Sequence, residues 1–261
     1  MFSSFFSKNK KNILSTENVK SYYKDWTDRY IESFEDVFQS NQGLDRNQFF
    51  DYYAQSAGIN DNMNIIDAGC GVGGPANEFA KRFDVNIDAV NISEIQLKKA
   101  QQSASQLQLK GKINFISGDF HYLDKTTGHQ NFYDLIYFME SLVHSDHVEL
   151  VLQSAYKALK TGGVLYIKDL YRRKPVNFID RYKINKSVKI NNRLFALNII
   201  SVNKLLEILK NTGFELLFCK TMDIETNQNV GNNFVIKNKI VSTTNDWHPY
   251  LEWHEIKCIK R

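Results

Sequence analysis

The chain of 261 residues carries 33 Lys and Arg against 29 Asp and Glu, and 43% of its residues are hydrophobic. A net charge of +4 does not demand a nucleic-acid partner, and no stretch approaches the roughly 20 apolar residues of a membrane span. We therefore expect a chain with one sizeable core and room for an accessory lid, without nucleic-acid binding or stable membrane insertion.

The N-terminal residues and the cysteines bear on location. The apolar stretch 1–6 is too short for the core of a signal peptide, and the basic run 8–11 is interpreted as a solvated tail. Cys70, Cys219 and Cys258 have neither metal-site nor disulfide spacing, and a reduced compartment suits them. These observations predict a cytoplasmic protein without a metal site.

Helical and strand periods then alternate along the chain, as a doubly wound sheet requires. Two or three helices are predicted over about 17–58, after the cap candidates Ser15 and Thr16. Strands are predicted at about 63–67, 85–90, 113–117, 132–138 and 163–169, with helices near 75–82, 93–107 and 147–160. A basic and aromatic insertion at about 171–198 precedes a helix at 201–211, and strands are predicted at 214–219 and 250–258.

The first predicted strand ends at Asp67 and runs directly into a glycine-rich turn. Gly69, Gly71 and Gly74 fit the dinucleotide pattern G-x-G-x-x-G, while Gly69, Gly71 and Gly73 fit G-x-G-x-G. Asp67 would repel a pyrophosphate but attract the ammonium group of an amino-acid-bearing ligand. This favours S-adenosylmethionine over a nicotinamide dinucleotide, which also wants a carboxylate at the end of the second strand.

Four segments in order resemble motifs of the class I S-adenosylmethionine-dependent methyltransferases, in the branch of sterol and prenyl-diphosphate C-methyltransferases. The segments are 67–75, 90–96, 118–120 and 159–165. The resemblance implies an α/β fold, with a Rossmann-like, seven-stranded, mostly parallel sheet and helices on both faces. It also implies that the two C-terminal strands form an antiparallel pair. The same resemblance implies an N-terminal helical lid at 1–58 and a methyltransferase core at 59–261 with the inserted segment at about 171–198.

The same resemblance assigns the cofactor site. Asp67 with Gly69, Cys70 and Gly71 would hold the methionine moiety of S-adenosylmethionine, and Asn91, Ile92 and Gln96 its ribose. Asp119 would accept a hydrogen bond from the adenine amine, Phe120 would pack on its ring, and Met139 completes the set. Two competing interpretations stand beside these roles: Asn91 as a helix cap, and Phe120 as ordinary core.

Glu140 and His144, after the fourth strand, are the candidate catalytic residues. Their spacing resembles Glu-x-x-x-His in sterol C-methyltransferases and Glu-Ser-Leu-x-His in small-molecule O-methyltransferases. Methylating an alkene creates a carbocation that needs a carboxylate and aromatic faces. Methylating a hydroxyl needs a base, for which His144 is suited if Asp169 orients it. A capping or surface histidine is the alternative interpretation of His144.

The N-terminal helix favours carbon as the methylated atom. Its segment 22–30 resembles the tyrosine-rich segment before the core of sterol methyltransferases, with Tyr22, Trp26 and Tyr30 on one helical face. Such a stripe is more often core, yet in that family the helix belongs to the lid, so Tyr23, Tyr30 and Asp169 are candidate substrate contacts. No sterol-binding tail is recognisable, and we therefore expect a smaller isoprenoid-like or other apolar metabolite of secondary metabolism.

Two other functions stay open: an O- or N-methyltransferase with a His base, and a binding or scaffold protein that keeps the cofactor without activity. The sequence also leaves open whether the chain forms a homo-oligomer.

Overall fold

A computed structural model describes residues 14–36, 45–222 and 250–261. The expectations for residues 1–13, and the part of the predicted helical region at 37–44, lie outside the described residues, as does the segment 223–249.

A seven-stranded sheet in the order β3-β2-β1-β4-β5-β7-β6 forms the centre of the structure. The strands pair in parallel from β3 through β5, and β7 runs antiparallel to both of its neighbours. The predicted α/β, mostly parallel fold and the antiparallel C-terminal pair are thus confirmed. The strands are β1 Asn64–Ala68, β2 Asn86–Asn91, β3 Lys112–Ser117, β4 Tyr133–Met139, β5 Leu159–Arg172, β6 Phe214–Thr221 and β7 Leu251–Lys260.

Eight α-helices occur among the described residues: α1 Thr16–Phe34, α2 Arg46–Ala57, α3 Gly74–Arg82, α4 Glu94–Ala104, α5 Leu123–Thr126, α6 Val148–Ala158, α7 Phe178–Phe195 and α8 Val202–Thr212. Ser15, Ser93 and Ser201 cap α1, α4 and α8 through their side-chain oxygens. The short α5 and the 3₁₀ turns at Phe120–Tyr122 and Leu142–His144 were not predicted, because one turn is too short to show a period.

Helices cover both faces of the sheet because buried strand residues alternate between the faces. In β1, Ile65 packs with Phe79 of α3, whereas Ile66 packs with Val151 of α6. Each face therefore has its own apolar cluster, and the buried strands read as nearly continuous hydrophobic runs.

The two N-terminal helices pack differently. Helix α2 belongs to the core, since Phe50 and Tyr53 pack in the same cluster as Ile65. The aromatic stripe of α1 packs with residues of α7 in a smaller cluster formed by Tyr22, Trp26, Tyr30, Phe34, Leu194, Phe195 and Leu197. The inserted helix therefore supports α1 above the sheet, and the domain boundary at residue 58 stays a prediction.

The strand order reverses beside β1, which lies between β2 and β4. Ligands of open α/β sheets bind outside the carboxyl ends of the strands at such a point. Across the described ranges, no helix has both the length and the apolar character needed to span a membrane.

Candidate active site

An open cleft lies at the carboxyl ends of β1, β2 and β4. It brings together most of the predicted site residues, which are Tyr23, Asp67, Gly69, Cys70, Gly71, Asn91, Ile92, Gln96, Phe120, Met139, Glu140 and His144. Val19, Asp36, Val72, Pro75 and Ser141 also line it and were not predicted. Tyr30, Asp119 and Asp169 are not part of its wall.

The glycine turn forms the floor of the cleft. Gly69 has φ +86°, and a Cβ added there would lie 2.6 Å from the Cβ of Ser141. Ser141 in turn donates from its hydroxyl to the Ala68 carbonyl at 2.5 Å. Gly69 is thus required both by its backbone conformation and by the close approach of the loop after β4.

Asp67 places an acidic group in the wall of the cleft. Its Oδ2 has no hydrogen-bond partner among the described residues, although the side chain is buried. Burial raises the pKa of the carboxyl to about 7. A buried carboxylate oxygen without a hydrogen-bond partner is costly, and a cationic ligand group would relieve that cost.

Asn91 and Gln96 form a small amide network behind the glycine turn. The Asn91 Nδ2 group donates to the Gly71 carbonyl at 3.0 Å and to Gln96 Oε1 at 2.8 Å, and Asn91 Oδ1 accepts from the Ser93 N–H. Gln96 Nε2 is buried without a partner among the described residues. Asn91 therefore orients Gln96, whose amide donor remains available to a ligand, while the helix cap is Ser93.

Phe120 lines the cleft, but the neighbouring Asp119 points elsewhere. Asp119 accepts from the His121 ring at 2.6 Å and from the Thr16 hydroxyl at 3.2 Å. Burial opposes the ionised form, yet these hydrogen bonds hold the pKa of Asp119 below its ordinary value. The adenine contact of Asp119 stays a prediction, and the structure gives this residue a further role in joining α1 to the 3₁₀ turn after β3.

Glu140 is held at the rim of the cleft by a buried ion pair with Lys168 of β5. The Glu140 N–H also donates to the Lys168 carbonyl at 2.7 Å, and Glu140 has φ +59°. The Lys168 ammonium lies 5.3–5.5 Å from the ring centres of Phe49, Tyr53 and Trp253. Aromatic faces and a carboxylate thus enclose the cation.

His144 is oriented by the inserted segment. Its Nδ1–H donates to the Ala196 carbonyl at 2.9 Å, which leaves Nε2 to accept from the Tyr23 hydroxyl at 2.8 Å. Burial lowers the pKa of His144 to about 4, against the opposing effect of the Ala196 hydrogen bond. The alternative of a surface or capping histidine is therefore wrong.

The predicted orienting role of Asp169 is also wrong. The Asp169 carboxylate accepts from the N–H groups of Val143 and Leu170, at 2.9 and 2.8 Å, and burial raises its pKa to about 7. It fixes the backbone beside His144 without contacting the ring. Tyr30 likewise lies outside the cleft, with its hydroxyl 2.7 Å from that of Tyr22.

Lys168 is the functional candidate that sequence reasoning missed. Its signal was a lysine and an aspartate in consecutive positions of the otherwise apolar run 164–171. Charged residues are almost never fully buried unless they are paired, so a lysine in this run indicates a partner of opposite charge.

The cysteine in the glycine turn and the potential metal ligands also bear on the chemistry of the cleft. Burial raises the pKa of the Cys70 thiol well above its ordinary value, which agrees with a structural interpretation of this residue. Among the described residues, no group of three His, Cys, Asp or Glu side chains is arranged to hold a metal ion.

Residues 59–251 match the protein family described as the methyltransferase domain. The sterol 24-C-methyltransferase erg-4 of Neurospora crassa is 33% identical over 171 residues, which cover 64% of this chain and 43% of that protein. The sterol 24-C-methyltransferase of Clavispora lusitaniae is 28% identical over 215 residues, which cover 78% of this chain and 56% of that protein. The chain thus spans about half the length of the curated relatives it matches.

Solved structures show the same fold at low sequence identity. The [4+2]-cyclase SpnF superimposes with a TM-score of 0.74 at 18% identity, covering 95% of this chain and 96% of SpnF. The geranyl diphosphate C-methyltransferase of Streptomyces coelicolor was solved with Mg²⁺, geranyl diphosphate and S-adenosyl-L-homocysteine. It superimposes with a TM-score of 0.68 at 16% identity, covering 82% of this chain and 80% of that chain. Because one of these is named a cyclase and the other a methyltransferase, the fold alone does not decide the reaction.

Proposed function

The chain belongs to the methyltransferase domain family, and from this premise we propose that it transfers a methyl group from S-adenosylmethionine to a carbon atom of an isoprenoid-like alkene. The observation that carries the proposal is the pairing of a fixed carboxylate, Glu140, with a weakly basic His144 in one cleft. The sterol and geranyl diphosphate C-methyltransferases among its relatives and structural neighbours support carbon as the methylated atom.

The residues of the cleft fit S-adenosylmethionine, which supplies an electrophilic methyl group on a sulfonium centre. The unpartnered Asp67 Oδ2 is an acceptor for the ammonium group of the ligand, and the unpartnered Gln96 Nε2 is a donor for a ribose hydroxyl. Phe120 offers a ring face for the adenine. The turn at Gly69 and Gly71 lets the backbone approach the methionine moiety closely.

Glu140 would balance the positive charge that develops on the substrate when the methyl group is transferred. Lys168 holds this carboxylate in place, so little reorganisation is needed when the charge forms. The Tyr23 ring, which also lines the cleft, adds an aromatic face.

The proton that leaves the methylated intermediate has an acceptor in the Tyr23–His144 pair. It would pass to the Tyr23 oxygen while the Tyr23 hydroxyl proton moves to His144 Nε2. The other ring proton stays on Nδ1, which keeps its hydrogen bond to the Ala196 carbonyl. A histidine with a pKa of about 4 is a poor base for a hydroxyl group. It suffices for a carbocation, whose adjacent protons are strongly acidic.

The direct test is to incubate the protein with isotopically labelled S-adenosylmethionine and isoprenoid alkenes, including geranyl diphosphate and sterols, and to locate the new methyl group by NMR. A new C–C bond supports the proposal. A methyl group on oxygen or nitrogen would support the second function, and calorimetric cofactor binding without transfer to any substrate would support a binding protein.

Asp67→Ala is expected to weaken S-adenosylmethionine binding by roughly tenfold to a hundredfold, since a hydrogen bond to a charged group contributes about 1.5–3 kcal/mol. Calorimetry measures the dissociation constant. Unfolding of the free variant by urea controls for folding, and unchanged affinity would contradict the assignment of the glycine turn.

Cofactor affinity of the wild type should rise several-fold from about pH 6 to about pH 7.5. The Asp67 carboxyl, with a pKa of about 7, must ionise to attract the ammonium group, so binding releases a proton and strengthens as pH rises. The ligand amine, with an ordinary pKa of about 7.7–8.0, stays mostly protonated over this range. Asp67→Asn should remove the pH dependence of cofactor affinity, whereas Asp169→Asn should keep it. The reverse result would assign the pH dependence to Asp169.

Turnover should show no histidine inflection near pH 6.5, because His144, with a pKa of about 4, stays neutral above about pH 5. His144→Ala should lower turnover less than Glu140→Gln, because the protons next to a carbocation are acidic enough to be lost without a strong base. Rate profiles of the wild type and His144→Ala between about pH 5.5 and 8 provide the check. An inflection near pH 6.5 that disappears in His144→Ala would instead favour O-methylation with a His base.

A cytoplasmic location, a role in secondary metabolism and the N-terminal lid at 1–58 remain parts of the proposal. Cell fractionation tests the first, and the identity of the methylated product tests the second. Limited proteolysis with and without S-adenosylmethionine tests the third.

A further inference from the structure

Helix α7, within the inserted segment, has apolar side chains on two opposite faces. The inner face is buried through Ile184, Ser187, Asn191 and Phe195. At 100° per residue, Phe178, Ile179 and Tyr182 lie on the opposite side of the helix. Their exposed fractions are 82%, 66% and 67%, and that of Val176, just before the helix, is 80%.

This exposure is unusual for the molecule. No other large apolar side chain in the described part of the chain is more than half exposed. Single exposed apolar residues are normal, but four within seven positions form a contiguous patch, and such patches mark interaction sites.

Basic side chains surround the patch. Residues 172–193 contain eight Lys and Arg and one acid, Asp180, which pairs with Arg173 at 2.6 Å. The segment carries +7 whereas the whole chain carries +4, so the remainder is −3. The positive charge is therefore concentrated beside the exposed apolar side chains.

We propose that this face of α7 docks onto the surface of an anionic phospholipid bilayer. The docking face consists of Val176, Phe178, Ile179, Tyr182, Lys186 and Lys189, with Arg181 and Lys183 at its two edges. Apolar side chains interleaved with Lys and Arg on one helix face suit the interface between lipid headgroups and acyl chains, where both are satisfied together. A nucleic acid would satisfy the charges but would leave Val176 and Ile179 in contact with water.

The docking face is connected to the cleft through the far end of α7. Phe195 packs in one cluster with Phe34 of α1, and the Ala196 carbonyl accepts the hydrogen bond from His144. Docking would hold the wall of the cleft against the bilayer, where an apolar substrate is dissolved. This consequence rests on the proposed function, whereas the docking itself does not.

Vesicle co-sedimentation of the full chain, without substrate, tests the docking. We expect binding to phosphatidylcholine vesicles with about one third phosphatidylserine, weak binding to phosphatidylcholine alone, and release at about 0.5 M salt. Phe178→Ser/Ile179→Ser should lower the partition coefficient at least roughly tenfold. The matched control is Leu216→Ser/Leu217→Ser in β6, whose side chains are 46% and 48% exposed, and it should bind like the wild type.

A second pair of variants tests how much the basic side chains contribute to vesicle binding. Lys183→Glu/Lys186→Glu should lower anionic-vesicle binding at least roughly tenfold, since each basic residue near such a surface contributes roughly fivefold. The exposed lysines Lys98 and Lys210, changed to Glu together, control for net charge. Thermal unfolding confirms that all four variants are folded.

Vesicle binding that both α7 variants retain would overturn the proposal. A second result would also overturn it. If Phe178→Ser/Ile179→Ser binds vesicles like the wild type but loses a dimer that the wild type shows in sedimentation, the face contacts a second copy of the chain. Methyl transfer to a short, water-soluble alkene should be unaffected in these variants, so failure of docking and failure of the proposed reaction are measured separately.

Discussion

Glu140→Gln is expected to lower turnover on an alkene substrate by roughly a hundredfold to a thousandfold while leaving S-adenosylmethionine affinity nearly unchanged. The neutral amide keeps the shape of the side chain but no longer balances the positive charge that forms on the substrate. Single-turnover rates at saturating cofactor measure the effect on the chemical step.

The ion pair with Lys168 makes a second variant necessary as a control. In Glu140→Gln, the buried Lys168 ammonium faces an amide, which destabilises the fold as well as the transition state. Glu140→Gln/Lys168→Met removes both charges, so it should recover stability without recovering turnover. A Glu140→Gln enzyme with full turnover on the true substrate would refute carbon methylation assisted by this carboxylate.

Lys168→Met is expected to lower the free energy of unfolding by about 3–5 kcal/mol. The Lys168 side chain is fully buried and that of Glu140 is 8% exposed, so the variant leaves a carboxylate in a site that water hardly reaches. It also removes the cation from among three aromatic rings. Urea unfolding of the two single variants and the double variant gives the coupling between the residues.

Lys160→Met is a matched control in the same strand. Lys160 pairs with Asp134 at 2.7 Å, but the two side chains are 41% and 27% exposed. An exposed pair contributes about 0–1 kcal/mol, so this variant should change stability little. Equal decreases in the free energy of unfolding of Lys168→Met and Lys160→Met would show that burial does not set the strength of the ion pair between Glu140 and Lys168.

The sequence predicted the features that arise from local pattern. The strand before Asp67, the turn at Gly69 and the cap at Ser15 each depend on residues a few positions apart, because period and backbone conformation are local properties. The strands up to Asp169 were found in the same way, whereas the antiparallel pairing of the two C-terminal strands followed from the family resemblance. Chain order then placed most of the cleft residues at one edge of the sheet.

The partners of the catalytic candidates were decided by tertiary structure. Lys168 reaches Glu140 because β4 and β5 pair with Met139 beside Lys168, a register that no local pattern reveals. His144 is oriented by Ala196, which lies at the end of the inserted helix. Asp169, the partner suggested by strand position, uses its carboxylate on backbone N–H groups instead.

The sequence by itself therefore determined the fold, the glycine turn and the residue types at the cleft, because these follow from periodicity and from the directions of parallel strands. The tertiary structure alone decided which charges are paired, which histidine nitrogen carries the proton, and which face of α7 stays exposed. Burial and hydrogen-bond partners depend on segments distant in the chain, and those two factors set the charge state of each group.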